Sequence, residues 1–439
     1  MANSLVEMFR MKDLRKKILF TFLLLIISRI GAVIPIPGID PEVLKLYFLA
    51  QSNSSNIGLT EYLNFFSGGA FSNFSLFMLG VMPYISTQII VQLLMLVIPS
   101  MKKLAEDPNG KKKIQRYTRY GAIVVCLIQS YVVTVYAKSI PGVMTVGIVP
   151  FTLIAMLTVT TGSMFLVWLG EKITQFGVGN GISLLIFAGI VARIPEALVT
   201  LFKSVSAGTL NPIVVLVVFA MFIVVVALVV YEEQGQRKIP VHYAKRVVGR
   251  KMYGAQSTYI PFKINPSGVI PVIFASALLS FPLQIATTLG PEVRWLAAFA
   301  NWLNPQGVPY LIIYTLLIIA FAFFYTQVSL NPVEMARQIR ENGGSVPGVR
   351  TEKLEEYLTK VLNRIVLPGS LFLAFIALIP TLVQKFFNFP ASVAMLFGGT
   401  SLLILVGVDL DTMRQLEGIM KMHHHDGIVG VSKSKSRNL

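Results

Sequence analysis

The chain has 439 residues, of which 54% are hydrophobic and only 13% charged, with a mean hydropathy of +0.68. Soluble domains carry about 25% charged residues, so a water-soluble globular protein is excluded. Lys and Arg number 38 against 21 acids, a formal charge of +17, and such an excess on a membrane protein belongs in loops facing anionic lipid, nucleic acid or acidic proteins. The one cysteine, Cys126, excludes an intrachain disulfide framework.

In chain order, the first predicted span is residues 18 to 34, ILFTFLLLIISRIGAVI. Its single charge, Arg29, lies near enough to the far end for the guanidinium to snorkel to the interface. The length of this run, and the PIPG that follows it, argue against a cleavable signal peptide. Charge-free runs follow at 74 to 98, 120 to 137, 139 to 170, 173 to 192, 204 to 231, 264 to 291, 295 to 333, 365 to 384 and 386 to 408. Each is near or above the ~20 residues needed to cross hydrocarbon. The expected fold is therefore an all-α polytopic membrane protein with ten transmembrane helices.

An even number of spans puts both termini on one side. The alternating segments 1 to 17, 99 to 119, 170 to 181, 231 to 266, 330 to 365 and 410 to 439 hold 31 Lys or Arg. The opposite side holds six: Lys45, Lys138, Arg193, Lys203, Arg294 and Lys385. By the positive-inside bias the first set, and both termini with it, is cytoplasmic. One span more or fewer would scramble the asymmetry.

Two features depart from an up-and-down bundle. Residues 61 to 72, EYLNFFSGGAFS, are too short and too polar to cross, yet run straight into the second span. A half-inserted segment and an amphipathic surface helix on the outer face account for them equally well, since irregular backbone at membrane depth must be surrounded by protein or a wet cavity. The second feature is the pair of long basic loops at 231 to 266 and 330 to 365, which read as docking surfaces or as lipid-facing loops.

Chemistry is sparse. No phosphate-binding G-x-x-x-x-G-K-[ST] occurs, and GVGNG at 177 to 181 reads as a tight turn between spans. His423, His424 and His425 read as a flexible solvated tract in the tail and assign no metal, and His242 has no carboxylate and nucleophile placed for a triad. The spans carry Ser, Thr, Gln, Asn and Gly in place of buried acids and lysines, which suits close packing or a wet uncharged passage better than an ion relay.

At this point whole segments become recognisable. FSGGAFSNFSLFMLGVMPYISTQIIVQLL (66 to 94), KIQRYTRYG (113 to 121), GSMFLVWLGEKITQFGVGNGISLLIFAGIV (162 to 191), YAKRVVGRKMYGAQSTYIPFKIN (243 to 265), GVIPVIFAS (268 to 276), PGVR (347 to 350) and GGTSLLILVGV (398 to 408) resemble the SecY family, channel subunits of the bacterial Sec translocon. The resemblance runs collinearly from PIPGID at 35 to 40 to the last span, and the tail beyond about residue 420 shows no family pattern.

The resemblance implies a clamshell of two pseudo-symmetric inverted five-helix halves: residues 1–202, residues 203–411, and a cytoplasmic tail at 412–439. It implies a non-enzymatic channel, without cofactor, in the bacterial cytoplasmic membrane. Such a channel passes unfolded preproteins across, and releases hydrophobic segments sideways into lipid. The partners implied are SecE and SecG, the SecA ATPase, the ribosome through its RNA phosphates, the nascent chain, preprotein signal sequences and anionic lipids. Carried over position by position, the constriction would be Val81, Ile85, Ile186, Ile273 and Ile404. Val81 and Ile85 sit four residues apart and share a helix face. Such a ring suits a collar that closes around an extended chain and dewets when empty. The plug would be the 61 to 72 segment, with Asn64, Phe65, Phe66, Ser67, Gly68 and Gly69 at its heart. The lateral gate would lie between Ser86 and Gln92 on the second span and Phe281 and Pro282 on the seventh, where proline favours a kink. Arg250, Lys251 and Arg350 would engage SecA and ribosome, since arginine binds phosphate and carboxylate bidentately.

Two other classes stand beside this reading. A small-solute secondary transporter would carry a saturable midplane site and need no large basic loops. An intramembrane enzyme would need a nucleophile or metal constellation within the spans, and the sequence offers none.

Overall fold

The computed structural model describes residues 11–51, 64, 67–138, 140–243, 246–248, 251–253, 256–289, 293–304, 307–387, 389–396 and 398–435. Ten apolar stretches are built from α1 (Lys12–Gly31), α3 (Met82–Val97), α5 (Pro108–Lys138), α6 (Ile148–Phe176), α7 (Gly181–Ala192) continued by α8 (Ile194–Ser206), α9 (Pro212–Gln234), α10 (Ile270–Leu289), α12 (Val308–Ser329), α14 (Leu354–Phe387) and α16 (Gly399–Lys435). Connecting helices are α2 (Pro41–Gln51), α4 (Pro99–Glu106), α11 (Arg294–Trp302), α13 (Pro332–Glu341) and α15 (Ala391–Leu396). The lipid-facing side shows in the exposed side chains: on α1, Leu19, Phe22, Leu23, Ile26 and Ile30 recur at helical spacing and each is more than half exposed.

Where prolines and caps fall, the helix ends depart from the hydropathy runs. The second span does not begin at 74: α3 starts at Met82, with Val81 as its N-cap and Pro83 in the first turn, where its missing N–H costs nothing. The fifth starts only at Gly181, where Asn180 accepts hydrogen bonds from Ile182 N–H and Ser183 N–H, and the apolar residues before it finish α6. The eighth is split by NPQG into α11 and α12. At the other end α16 runs on through the tail, so the histidine tract continues a helix rather than a flexible tail.

The packing shows the internal repeat. In the first half α1 packs on α6 and α7, α3 on α5, α5 on α6, and α6 on α7. In the second half α9 packs on α14 and α16, α10 on α12, α12 on α14, and α14 on α16. Matching spans one to five with six to ten converts each pair of the first set into a pair of the second, which is the pattern of duplicated five-helix halves. The halves meet where α3 and α5 touch α10, where α7 touches α16, and where α8 touches α15. Two of these seams, α3 with α10 and α7 with α16, join each helix to its own repeat partner.

The two basic loops are not separate excursions. Strands β1 (Gln236–Tyr243) and β4 (Gln256–Lys263) pair antiparallel, and β5 (Gly344–Ser345) from the second loop adds to the free edge of β1. Ile239, Val241 and Phe262 from this sheet bury against Ala336, Ile339, Val346, Leu354, Leu358 and Leu362 of the second loop and α14, a small core of its own. A further two-stranded sheet pairs β2 (Arg246–Val248) with β3 (Lys251–Tyr253). These strands lie outside the spans, and the apolar runs alone do not announce them.

Candidate functional site

The expected ring residues come from four helices. Val81 and Ile85 come from the start of α3, Ile186 from α7, Ile273 from the first turn of α10 and Ile404 from α16. All five are buried, from 1% to 8% exposed, and belong to one apolar cluster. The cap geometry supports the first pair: Ile85 N–H donates to the Val81 carbonyl at 3.1 Å, so the two side chains stack on one face. These are the four helices that meet across the halves as repeat partners, so the five residues come from the elements that form those two seams.

The 61 to 72 segment is described at Asn64 and from Ser67 onward; Phe65 and Phe66 lie outside the described residues. Its described residues from Ser67 form a turn bonded back to Asn64. The Asn64 carboxamide oxygen accepts from Ser72 N–H at 3.1 Å and from the Ser72 hydroxyl at 3.2 Å, and Gly69 N–H donates to the Asn64 carbonyl. Gly68 and Gly69 have φ of +64° and +89°, the left-handed region that a side chain would strain. Ser67, Ala70 and Phe71 are buried, and residues 67 to 81 form no regular helix before α3. That suits a segment packed inside the protein rather than a helix on its surface. Phe71 and Phe74 anchor it in a second apolar cluster with Ile36, Leu44, Val133 and Phe151, and the chain leaving α1 is tied to it by Ile36 N–H to the Phe74 carbonyl and Leu76 N–H to the Ile34 carbonyl.

Gly68 lies directly against α7. A Cβ placed on Gly68 would stand 2.6 Å from Gly189 Cα, so only hydrogen fits there. Gly189 follows Ile186 by three residues, about 4.5 Å along the helix axis, on the side away from α7's N-terminus. That N-terminus belongs to the basic end of the molecule: Gly179 N–H donates to Gln415 of α16, while Arg414 bonds the Glu233 carbonyl and Lys263 pairs with Asp411. The segment therefore packs beyond the ring as seen from the basic loops.

Sequence reasoning missed Gly189, and misplaced Arg29. Its guanidinium does not run to the interface but turns inward, with Nη1 donating to the Gly68 carbonyl at 3.4 Å. The lone charge in an otherwise apolar span was the available signal.

The expected gate residues lie on two helices that pack together. Ser86 and Gln92 on α3 are half-buried, as are Phe281 and Pro282 on α10, and α3 touches α10. Pro282 sits inside α10, where it deletes one backbone hydrogen bond, and Ser276 and Ser280 turn their hydroxyls back onto the helix carbonyls one turn earlier. The Gln92 side-chain oxygen is buried without a partner. Among the docking residues, Lys251 opens β3 opposite Val248, Arg350 is exposed at the start of a 3-10 turn (Thr351–Lys353), and Arg250 lies outside the described residues. Arg350 makes no ion pair among the described residues, whereas Arg337 in the same loop is neutralised by Glu334 and Glu341.

The SecY family model matches residues 75–413. The chain belongs to the SecY family. It is 45% identical to the protein translocase subunit SecY of Borreliella burgdorferi over 423 residues, covering 96% of both chains. It is 42% identical to that of Escherichia coli K12, covering 94% of this chain and 93% of the relative. Among solved structures, a protein-conducting channel aligns with a TM-score of 0.63 at 21% identity over 91% of both chains. Sec61 in the canine ribosome-channel complex from the endoplasmic reticulum aligns at 0.59 and 19%, also over 91% of both. At those identities the structures establish the fold, a ten-helix clamshell, and the curated relatives establish a multi-pass membrane channel subunit of the protein translocase.

Proposed function

We propose that an unfolded polypeptide crosses this chain through the ring of Val81, Ile85, Ile186, Ile273 and Ile404. The observation that carries the reading is their origin: all five are buried in the main apolar core, and they come from the four helices that are repeat partners across the two seams. Aliphatic side chains close such a passage without a fixed hydrogen-bond partner, so they yield to any sequence of side chains and dewet when empty. On this reading the segment around Gly68 plugs the passage from the side away from the basic loops. The α3–α10 contact is the lateral gate, opened by bending at Pro282, through which hydrophobic segments reach lipid.

The chain on this reading catalyses no reaction of its own. SecA or a translating ribosome supplies the work from the cytoplasmic face of a bacterial inner membrane, with SecE and SecG completing the complex and anionic lipid around it. The shared sheet supports this, because it holds both basic loops as one platform on which Arg350 is exposed and without an ion pair among the described residues. Engagement of ribosomal RNA there is directed at phosphate and is salt-sensitive. The test is a cysteine pair at Ser86 and Phe281 with the buried Cys126 replaced. A disulfide holds Cα atoms within about 7 Å, so oxidation blocks preprotein translocation in vesicles and reduction restores it, while a long flexible crosslinker is tolerated. Export at the uncrosslinked rate by fully oxidised protein would overturn the gate and favour a solute transporter.

A further inference from the structure

Arg29 occupies the last turn of α1, in a span otherwise free of charge, where an ion is costly unless it serves a purpose. Among the described residues it has no carboxylate partner. Its Nη1 reaches the Gly68 carbonyl at 3.4 Å, and its Nε is buried with no acceptor. The same nitrogen crowds Gly68 from one side while α7 crowds it from the other: a Cβ there would meet Nη1 at 2.5 Å and Gly189 Cα at 2.6 Å. Three elements thus meet at one point: α1 through a guanidinium, the turn through a glycine held at φ +64°, and α7 through a second glycine one turn from Ile186.

We propose that Arg29 is a positioning residue that latches the 67–72 turn against α7 in the idle channel; this rests on the proposed plug role of that turn. With the turn seated, the guanidinium is held by the Gly68 carbonyl dipole. With the turn withdrawn, water entering the passage hydrates the cation instead. Each end state gives the cation a partner, the Gly68 carbonyl or water, and the half-withdrawn state between them, with neither, does not. The latch therefore makes plug movement two-state, and its strength sets how often the idle channel opens.

The experiment measures single-channel conductance of the reconstituted idle complex in planar bilayers for Arg29→Met, Arg29→Lys, a deletion of residues 62–70, and the deletion combined with Arg29→Met. Hydrogen bonds to charged groups are worth enough that Arg29→Met should raise the idle open probability about tenfold. Arg29→Lys, which keeps the charge and a donor, should recover most of the seal. The deletion should leak, and adding Arg29→Met to it should change nothing further, because the latch has nothing left to hold.

A leaking deletion beside a tight Arg29→Met channel would overturn the latch and leave the plug standing. Tight channels for both would overturn the plug reading itself. Added leak in the combined variant would show that Arg29 acts on the ring or the packing of α1, and would also overturn the latch. If Arg29→Met does not yield an intact complex, Arg29→Gln, a neutral donor, reads the same contact, and a wild-type seal there overturns the proposal.

Discussion

Replacing Ile186 by asparagine tests the proposed seal at its most informative point, since Ile186 is buried in the main core and precedes Gly189, which packs on Gly68, by one turn. The side chain is 5% exposed within the apolar cluster. Burying an isoleucine is worth about 1.5–3 kcal/mol, and a buried amide without a partner costs a further ~1–3 kcal/mol. Both effects apply only to the closed state, because in the open state the residue borders a wet passage. The lower values total about 2.5 kcal/mol, which at 1.4 kcal/mol per decade raises the idle open probability by roughly sixtyfold. Ile186→Val, which removes one methylene worth about 1 kcal/mol, should raise it only about fivefold. Planar-bilayer conductance of the purified complex, without preprotein, provides the measurement. An intact Ile186→Asn channel that translocates preprotein yet conducts no more than the parent at rest would refute the reasoning, because the side chain would then not be part of the barrier.

Arg350→Glu should abolish SecA-driven translocation into vesicles while leaving membrane insertion and SecE binding unchanged, because it reverses an exposed, unpaired charge without touching a span; normal translocation would remove Arg350 from the docking surface. On α11, Trp295, Phe299 and Trp302 fall on one face and all three are exposed, an arrangement that suits a membrane-water interface. The chain has three tryptophans, so Trp168→Phe leaves only that face reporting. Its fluorescence should be quenched more by lipids brominated near the headgroup than by lipids brominated at the chain end, and the opposite order would place α11 elsewhere.

Hydropathy alone carried the number of spans, because transfer into lipid is nearly additive along a chain, and basic residues counted loop by loop predict which side the loops face. The family blocks added the expected ring positions, and the structure buries all five of them in the main core. Helix boundaries were less legible. Val81 is a cap rather than a helical residue, and the start of α7 is set by the Asn180 cap, since local hydrogen bonding at Pro83 and Asn180 fixes where a helix starts while hydropathy averages over it.

The tertiary structure decided whatever depends on partners distant in sequence. Nothing in the two basic loops declares that β5 will complete the sheet begun by β1 about a hundred residues earlier, because a two-residue strand is defined only by the edge it meets. Gly68 by itself reads as a permissive residue, and only its contact with Gly189 of α7 shows why that position has no room for a side chain. Arg29 illustrates the same division. Its sequence position says that the charge must find compensation, but whether that comes from the interface or from a carbonyl inside the protein depends on which face of α1 is buried, and the packing of α1 on α6 and α7 turns it inward to Gly68.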